Sequence, residues 1–497
     1  MGTMSFLLPA GLTGEDVREL ERACVAGGPD SMPWPTRVKV ASGRLTLHRD
    51  EVDESGYSLV PWSINSAGRL LGATATLMER ESPYQLPIEL ARGKANQLRS
   101  QAAEWQSGGL AVPPELTDRM RHAVHTFGRA VVRPPGPDTE RLAQEALDQS
   151  YAAAESLTRI YVQQLFEARH HRQAKLDTWL SCRLGQAVLS EVGAGTVRQT
   201  FNAACVPFTW SRIARIEGSY DWEQTDALVN WAESAELPLC AGPLIDFSST
   251  HLPDWLWLWE RDLATLSQFM CDYVSSVVRR YRHRVRCWHL TAASNCASVL
   301  SLGEDELLWL TVRLAEAARQ VDPSLQVVVG LAQPWGDYMA LEDRIHSPYI
   351  FADTLIRSGL NLKALELELV MGIVPRGSYC RDLLETSRLL DLYAILGVPL
   401  HVTLAYPSSR TSDPRGDPDC RVAAGHWRGG FSPEIQAQWA AAFGALALSK
   451  PYVQAVTWSH LNDAEPHQFP HCGLLDSAGR LKPVTNELRK LREAHLT

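Results

Sequence analysis

No stretch of the chain approaches the ~18 consecutive apolar residues of a membrane-spanning helix, so no span and no membrane partner are expected. No block of lysine or arginine forms a basic stripe, and a net charge of -9 gives no counterion-release drive toward nucleic acid, which argues against a nucleic-acid partner. The chain also lacks a Gly-rich phosphate loop, a Gly-x-Ser-x-Gly elbow and a Cys-x-x-Cys pair, so the chemistries those motifs carry have no support and no cofactor is expected. Met1 to Leu12 includes a short apolar piece but neither a basic n-region nor an h-region ending in small residues, so no secretory signal is expected. The ten cysteines are dispersed, and Cys182, Cys205, Cys240 and Cys287 fall in apolar strand-like runs where a thiol behaves as a small hydrophobe. That usage fits a reducing compartment, hence a cytoplasmic protein, better than a disulfide framework.

What is present is an ordinary globular composition, 45% hydrophobic and 21% charged, over 497 residues. That length suits a barrel of ~250 residues plus a second domain. From residue 178 onward, short apolar runs alternate with amphipathic stretches, the pattern of a parallel sheet with crossover helices. Strands are predicted at Leu180–Leu184, Phe201–Cys205, Pro238–Leu244, Val285–Thr291, Gln326–Leu331, Ala364–Val370, Pro399–Leu404 and Val453–Trp458. Eight is the number that closes a (β/α)8 TIM barrel. Helices are predicted at Asp221–Ala235, Arg261–Arg280, Gly303–Gln320, Asp382–Leu396 and Ser432–Leu448, with Asp221, Asp382 and Ser432 as caps and Gly397 past a helix end. Residues 1–177 read as a separate α+β region. Strand-like pieces lie at Arg37–His48 and Gly56–Thr76, and helices at Thr76–Trp105 and Asp138–Arg172, with prolines at 113–114 and 134–137 as breakers.

The C-terminal two-thirds resembles the family 10 glycoside hydrolases, the xylanase-type β-1,4-glycanases. The resemblance rests on Phe201-Asn202, Trp210, Gly218-Ser219-Tyr220-Asp221-Trp222, Leu252-Pro253-Asp254-Trp255, Tyr281-Arg282, Cys287-Trp288, Trp458, Gly473-Leu474-Leu475-Asp476 and Lys482-Pro483, all in the family's order. It implies a (β/α)8 barrel, a carbohydrate ligand at the C-terminal mouth, an acid/base Glu at the end of the fourth strand and a nucleophile Glu on the seventh. Placed residue by residue, Ala293 stands at the first position and Leu404 at the second, and neither side chain can transfer a proton or attack an anomeric carbon. Glycoside hydrolysis needs two carboxyls, roughly 5–5.5 Å apart for retention or about 6.5–9.5 Å for inversion.

Other carboxylates are available. In Leu365-Glu366-Leu367-Glu368-Leu369, alternation puts the leucines on one face and directs Glu366 and Glu368 into the barrel, with His289 and Thr291 inward from the fourth strand. These groups either pair with each other and with Arg183, or leave Glu368 as a relocated acid near Asp246 or Asp463. Candidate sugar contacts at strand ends are Trp210, His289, Asn295, Gln333, Trp335, Tyr338, Trp458 and His460, with aromatic rings able to stack on sugar faces. Trp255, Trp257 and Trp259 are expected to pack under a loop. His467, His471 and Cys472 suggest a metal, but Pro470 prevents a helical HxxxH face and no matching pair completes four ligands, so no metal is expected. Three readings stand: a carbohydrate-binding barrel without the family's catalysis, a hydrolase with relocated carboxylates, and a protein-interaction scaffold. The sequence sets no oligomeric state.

Overall fold

The computed structural model describes residues 2–28, 30–50, 55–185 and 187–497. Eight parallel strands form the C-terminal architecture: β1 (Trp179–Cys182), β2 (Ala204–Val206), β3 (Leu239–Ala241), β4 (Cys287–Ala292), β5 (Val327–Leu331), β6 (Leu362–Val370), β7 (Leu400–Ala405) and β8 (Val453–Trp458). Neighbours pair in that order, β8 pairs β1, and a parallel bridge between Arg183 and Cys205 joins β1 to β2, so the sheet closes into the (β/α)8 barrel that the hydrophobic pattern predicts. Both faces are covered, which is why most strand residues are buried.

The helices between strands begin where cap residues dictate. Asp382 accepts from the Glu385 amide at 2.8 Å and Ser432 from the Ile435 amide at 3.2 Å. Gly397 adopts the left-handed conformation past its helix, with φ 74°. The first predicted helix starts at Glu223 rather than Asp221, although the Asp221 carboxylate still receives the Glu223 amide at 3.1 Å.

Before the barrel, the predicted strand regions are two hairpins, Arg37–Ala41 with Arg44–Arg49 and Tyr57–Ile64 with Gly68–Ala73. The predicted helix at Thr76 begins at Leu86, because Tyr84–Gln85 is extended and pairs with Gly2–Leu7. Pro114 does not break a helix but opens one, Pro114–Val131, since a proline at the first helical position gives up no intrahelical bond. Pro137–His170 is a single long helix.

The N-terminal elements close down on the barrel's C-terminal end. His426–Trp427, from the segment after β7, adds an antiparallel strand to Gly68–Ala73. The Thr36 amide donates to the Ala340 carbonyl at 3.1 Å, the Leu71 amide to the Cys380 carbonyl at 2.9 Å, and the Tyr379 hydroxyl to Glu19 at 2.7 Å. One apolar cluster runs from Phe6 and Leu45 through Tyr151 to Leu367 and Trp458, so the cover and the barrel share a core.

Candidate functional site

Alternation along β6 turns Glu366 and Glu368 inward beneath the mouth. The Thr403 hydroxyl donates to Glu366 at 2.7 Å, the Arg183 guanidinium lies 3.5 Å away and the His289 imidazole 3.2 Å. Burial works against the Glu366 charge, but the Arg183 guanidinium and the Thr403 hydroxyl hold the carboxyl below its usual range. Burial holds His289 neutral, with Arg183 adding to the effect. The ring fits because β5 has Gly330 beside it: a Cβ there would stand 2.6 Å from His289 Nε2. Glu368 makes no hydrogen bond among the described residues, and burial, Glu366 and Asp246 push its carboxyl up to about 7.

Above this layer a cavity of ≈ 220 Å³ opens at the strand ends. Its walls come from the segments after β1 (Arg183–Gly185), β2 (Pro207–Thr209 and Arg212), β3 (Pro243, Asp246, Thr250, His251) and β8 (Ser459–Asn462 and Glu465–Phe469), and from Arg415–Pro418 beyond β7. Asp246 accepts from Ser248 at 2.7 Å and lies 3.7 Å from Arg376 and 3.9 Å from His251. Burial opposes its charge, yet His251, Arg376 and Ser248 keep it ionised below the usual carboxylate range. Glu368, its pKa raised to about 7, and Asp246, held ionised, are the oppositely tuned carboxyls of the mouth. His251 also meets Thr250 at 3.2 Å, and Thr250 donates to Asp417 at 3.4 Å, so Asp246 and Asp417 belong to one polar wall. Three guanidiniums (Arg183, Arg212, Arg415) face three carboxylates (Asp246, Asp417, Glu465) around the cavity.

The segment after β8 is braced by buried ion pairs. Asp463 receives Lys482 Nζ at 2.5 Å, His460 Nε2 at 3.0 Å and the Gly473 amide at 2.7 Å, and although burial opposes it, this set keeps the acid far below its usual range. His467 contacts the Glu465 carbonyl through Nδ1 at 2.8 Å and Asp413 through Nε2 at 3.0 Å. Both partners are acceptors, so both ring nitrogens carry protons. Burial disfavours that charge, but the two bonds raise the imidazole's pKa. His460, Asp463 and His467 place ligand atoms within 4.8 Å of one another. That geometry alone would admit a cation, but His467 has no free lone pair and Lys482 already neutralises Asp463. The donor set fits an ion-pair network and not a metal.

Of the sequence-predicted sugar contacts, His460 lines the cavity, as does Asp246 among the carboxyl candidates. Asp463 is the brace behind that wall, and Glu368 lies below it, almost wholly buried. Trp210 stacks on Tyr273 at 5.0 Å beneath the β2 loop. Asn295 bridges the backbone of Ala332, donating at 2.9 Å and accepting at 3.0 Å, and meets the Tyr338 hydroxyl. Gln333 donates to the Pro375 carbonyl at 2.8 Å. Trp335 lies under Arg381, whose guanidinium is 4.6 Å from the ring centroid, and Trp458 donates to the Cys472 carbonyl at 2.7 Å. These rings are buried, and none of them lines the cavity. Trp255 packs edge-on against Trp210 and donates to the Ala214 carbonyl at 2.8 Å, as a packing role requires. Sequence reasoning did not reach Arg212, His251, Arg415, Asp417 or Gln468. Arg212 lies on a single helical turn, Trp210–Ile213, and the others on irregular loops, where no periodicity marks a side chain as inward. The run Asp413-Pro-Arg-Gly-Asp-Pro-Asp419 was the available signal, a charged turn cluster before a short strand.

Of the two residues that the resemblance sets against catalytic glutamates, Ala293 has φ 57° and is buried, and between β4 and Gly303 no acid occurs. On β7, Thr403 faces inward to Glu366, while Leu404 points outward to the helix Pro433–Ser449, its Cδ1 3.9 Å from where a Gly444 Cβ would stand. No residue from 401 to 409 carries a carboxyl.

The family model for glycosyl hydrolase family 10 matches residues 195–291, the stretch from β2 to β4 that holds most of the motifs quoted above. Among solved structures, this chain is similar to xylanase 10B from Thermotoga maritima at 16% identity, TM-score 0.49, covering 65% of this chain and 97% of that one. It is similar to xylanase 10B from Thermotoga petrophila RKU-1 in complex with xylobiose at 15% identity, TM-score 0.48, covering 64% and 94%. A family 10 protein from Paenibacillus barcinonensis matches at 16% identity, TM-score 0.47, covering 65% and 96%.

Proposed function

We propose that this chain is a divergent family 10-like barrel that binds a carbohydrate in the cavity between β1, β2, β3 and β8 without the family's retaining hydrolysis. The observation that carries the reading is the cavity itself. It opens at the barrel end where such folds build their sites, and its balanced guanidinium and carboxylate walls offer both donors and acceptors to hydroxyl groups. The missing carboxyls at the ends of β4 and β7 remove the two-carboxyl geometry from the family positions. The unpaired cysteines, all ten free, support placing the protein in the cytoplasm. Residues 1–177 then act as a cover over the other half of the mouth.

The test is calorimetric titration with a panel of neutral sugars on the natural protein and on Asp246→Asn, with expected weakening in the variant. Absence of binding by every sugar would sink the reading. A second reading is supported by one observation, the opposite tuning of Glu368 and Asp246. It makes Glu368 a relocated proton donor and Asp246 a relocated base. If that is the chemistry, Glu368→Gln abolishes glycoside cleavage; full activity in that variant would remove it.

A further inference from the structure

Resting on the reading that the cavity takes a sugar, we infer that it accepts a single neutral ring, or the terminal unit of a chain entering end-on, and not the middle of a glycan. Half of the barrel mouth is closed. At the end of β5, Gly336 packs against Met32, and Trp335 and Tyr338 are covered. Above β6 and β7, Val370, Ile373, Ala405, Cys420, Phe469 and Cys472 form a separate apolar plug. The paired strands His426–Trp427 and Gly68–Ala73 also belong to the cover, and among the described residues the cavity takes no wall from β5 or β6.

The cavity is ≈ 220 Å³, with a further ≈ 30 Å³ adjoining it past Pro207, Thr209 and Arg212, and together these stay below the ~300–1,000 Å³ of pockets that enclose drug-sized ligands. The two aromatic rings that reach the walls, Phe208 and Phe469, are almost wholly buried, so neither offers a face for a row of stacked sugars. Recognition therefore comes from polar groups around one ring. Arg183 sits at the base with Nε unpartnered and buried, Asp246 and His251 stand on one wall, and Arg415 and Asp417 stand at the rim. The three wall guanidiniums are matched by three wall carboxylates, and the His467 imidazolium by Asp413 behind the wall, a balance that favours hydroxyls over an anionic substituent.

The experiment is titration of the full chain with D-xylose, D-glucose, D-mannose and D-galactose, and with the β-1,4-linked tetraose of the best binder. The single ring is expected to carry nearly all the affinity, the tetraose gaining less than about threefold. Arg415→Gln, an exposed substitution that leaves the barrel core untouched, is expected to weaken the monosaccharide and the tetraose by the same factor. A gain of about tenfold or more from one ring to four would overturn the single-ring assignment while leaving sugar binding intact. Weakening of the tetraose alone in Arg415→Gln would also overturn it, because the rim would then be holding a second unit. No binding by any sugar would remove both the assignment and the reading beneath it.

Discussion

At the scale of single residues, the barrel's interior charges form a mutually dependent set. Glu366 holds Arg183, Thr403 and the imidazole of His289, so Glu366→Ala strands a buried guanidinium. We predict a loss of about 3–5 kcal/mol in urea unfolding for that change and a smaller one for Glu366→Gln, which keeps an acceptor for Thr403. Gly330→Ala is predicted to cost about 1–3 kcal/mol by driving a methyl group into the imidazole, with a shift of the His289 ring resonances as the accompanying sign. The inward direction of both glutamates was legible in the sequence because a strand has period two and the intervening leucines fix the phase. Their partners were only half legible. Arg183 and His289 lie on the same predicted strands, but the Gly330 space that admits the ring is visible only once β4 and β5 are side by side.

At the scale of elements, the barrel strands were readable because each is a buried apolar run between capped helices. The cover was not, because its strand pairing with the barrel segment uses two residues, His426 and Trp427, in a loop with no strand pattern. Gly68 shows how close that contact is. It has φ 101°, and a Cβ there would lie 2.3 Å from the His426 carbonyl oxygen. Gly68→Ala is therefore predicted to separate this strand pair and to raise amide exchange across residues 421–427, with little change in the barrel strands. Unchanged exchange in that segment would mean that the pairing does not hold the cover down. The candidate site divides along the same line. Asp246 and His460, beside strand ends, were legible as mouth residues, whereas the loops after β3 and β7, whose Thr250 and Asp417 complete the wall, carry no periodicity from which to read direction.

At the scale of the whole molecule, buried titrating groups set a pH dependence. His401 and His460 are held neutral by burial, their folded pKa lowered to about 4, so protons bind the unfolded chain first and stability falls as pH drops from about 6.5 toward 4, by up to about 3 kcal/mol from each. Glu368 acts in the opposite direction. Its folded pKa of about 7 lies above the unfolded value, so its contribution is fully present at low pH and is lost as pH rises toward 7. The His467 pair adds stability below its raised pKa and loses it above. Urea midpoints are thus predicted to fall between pH 6.5 and 4.5, and more steeply in Glu368→Gln, where the offsetting carboxyl is gone. The proposed function is that a family 10-like barrel binds a sugar in the polar cavity at its mouth without two-carboxyl hydrolysis. The most direct test is incubation of the purified full-length chain with a β-1,4-linked xylotetraose, following both binding heat and the appearance of shorter products by chromatography. The account predicts heat of binding with the tetraose recovered intact. Accumulating shorter sugars that disappear with Glu368→Gln would contradict it and assign the barrel a working, relocated acid.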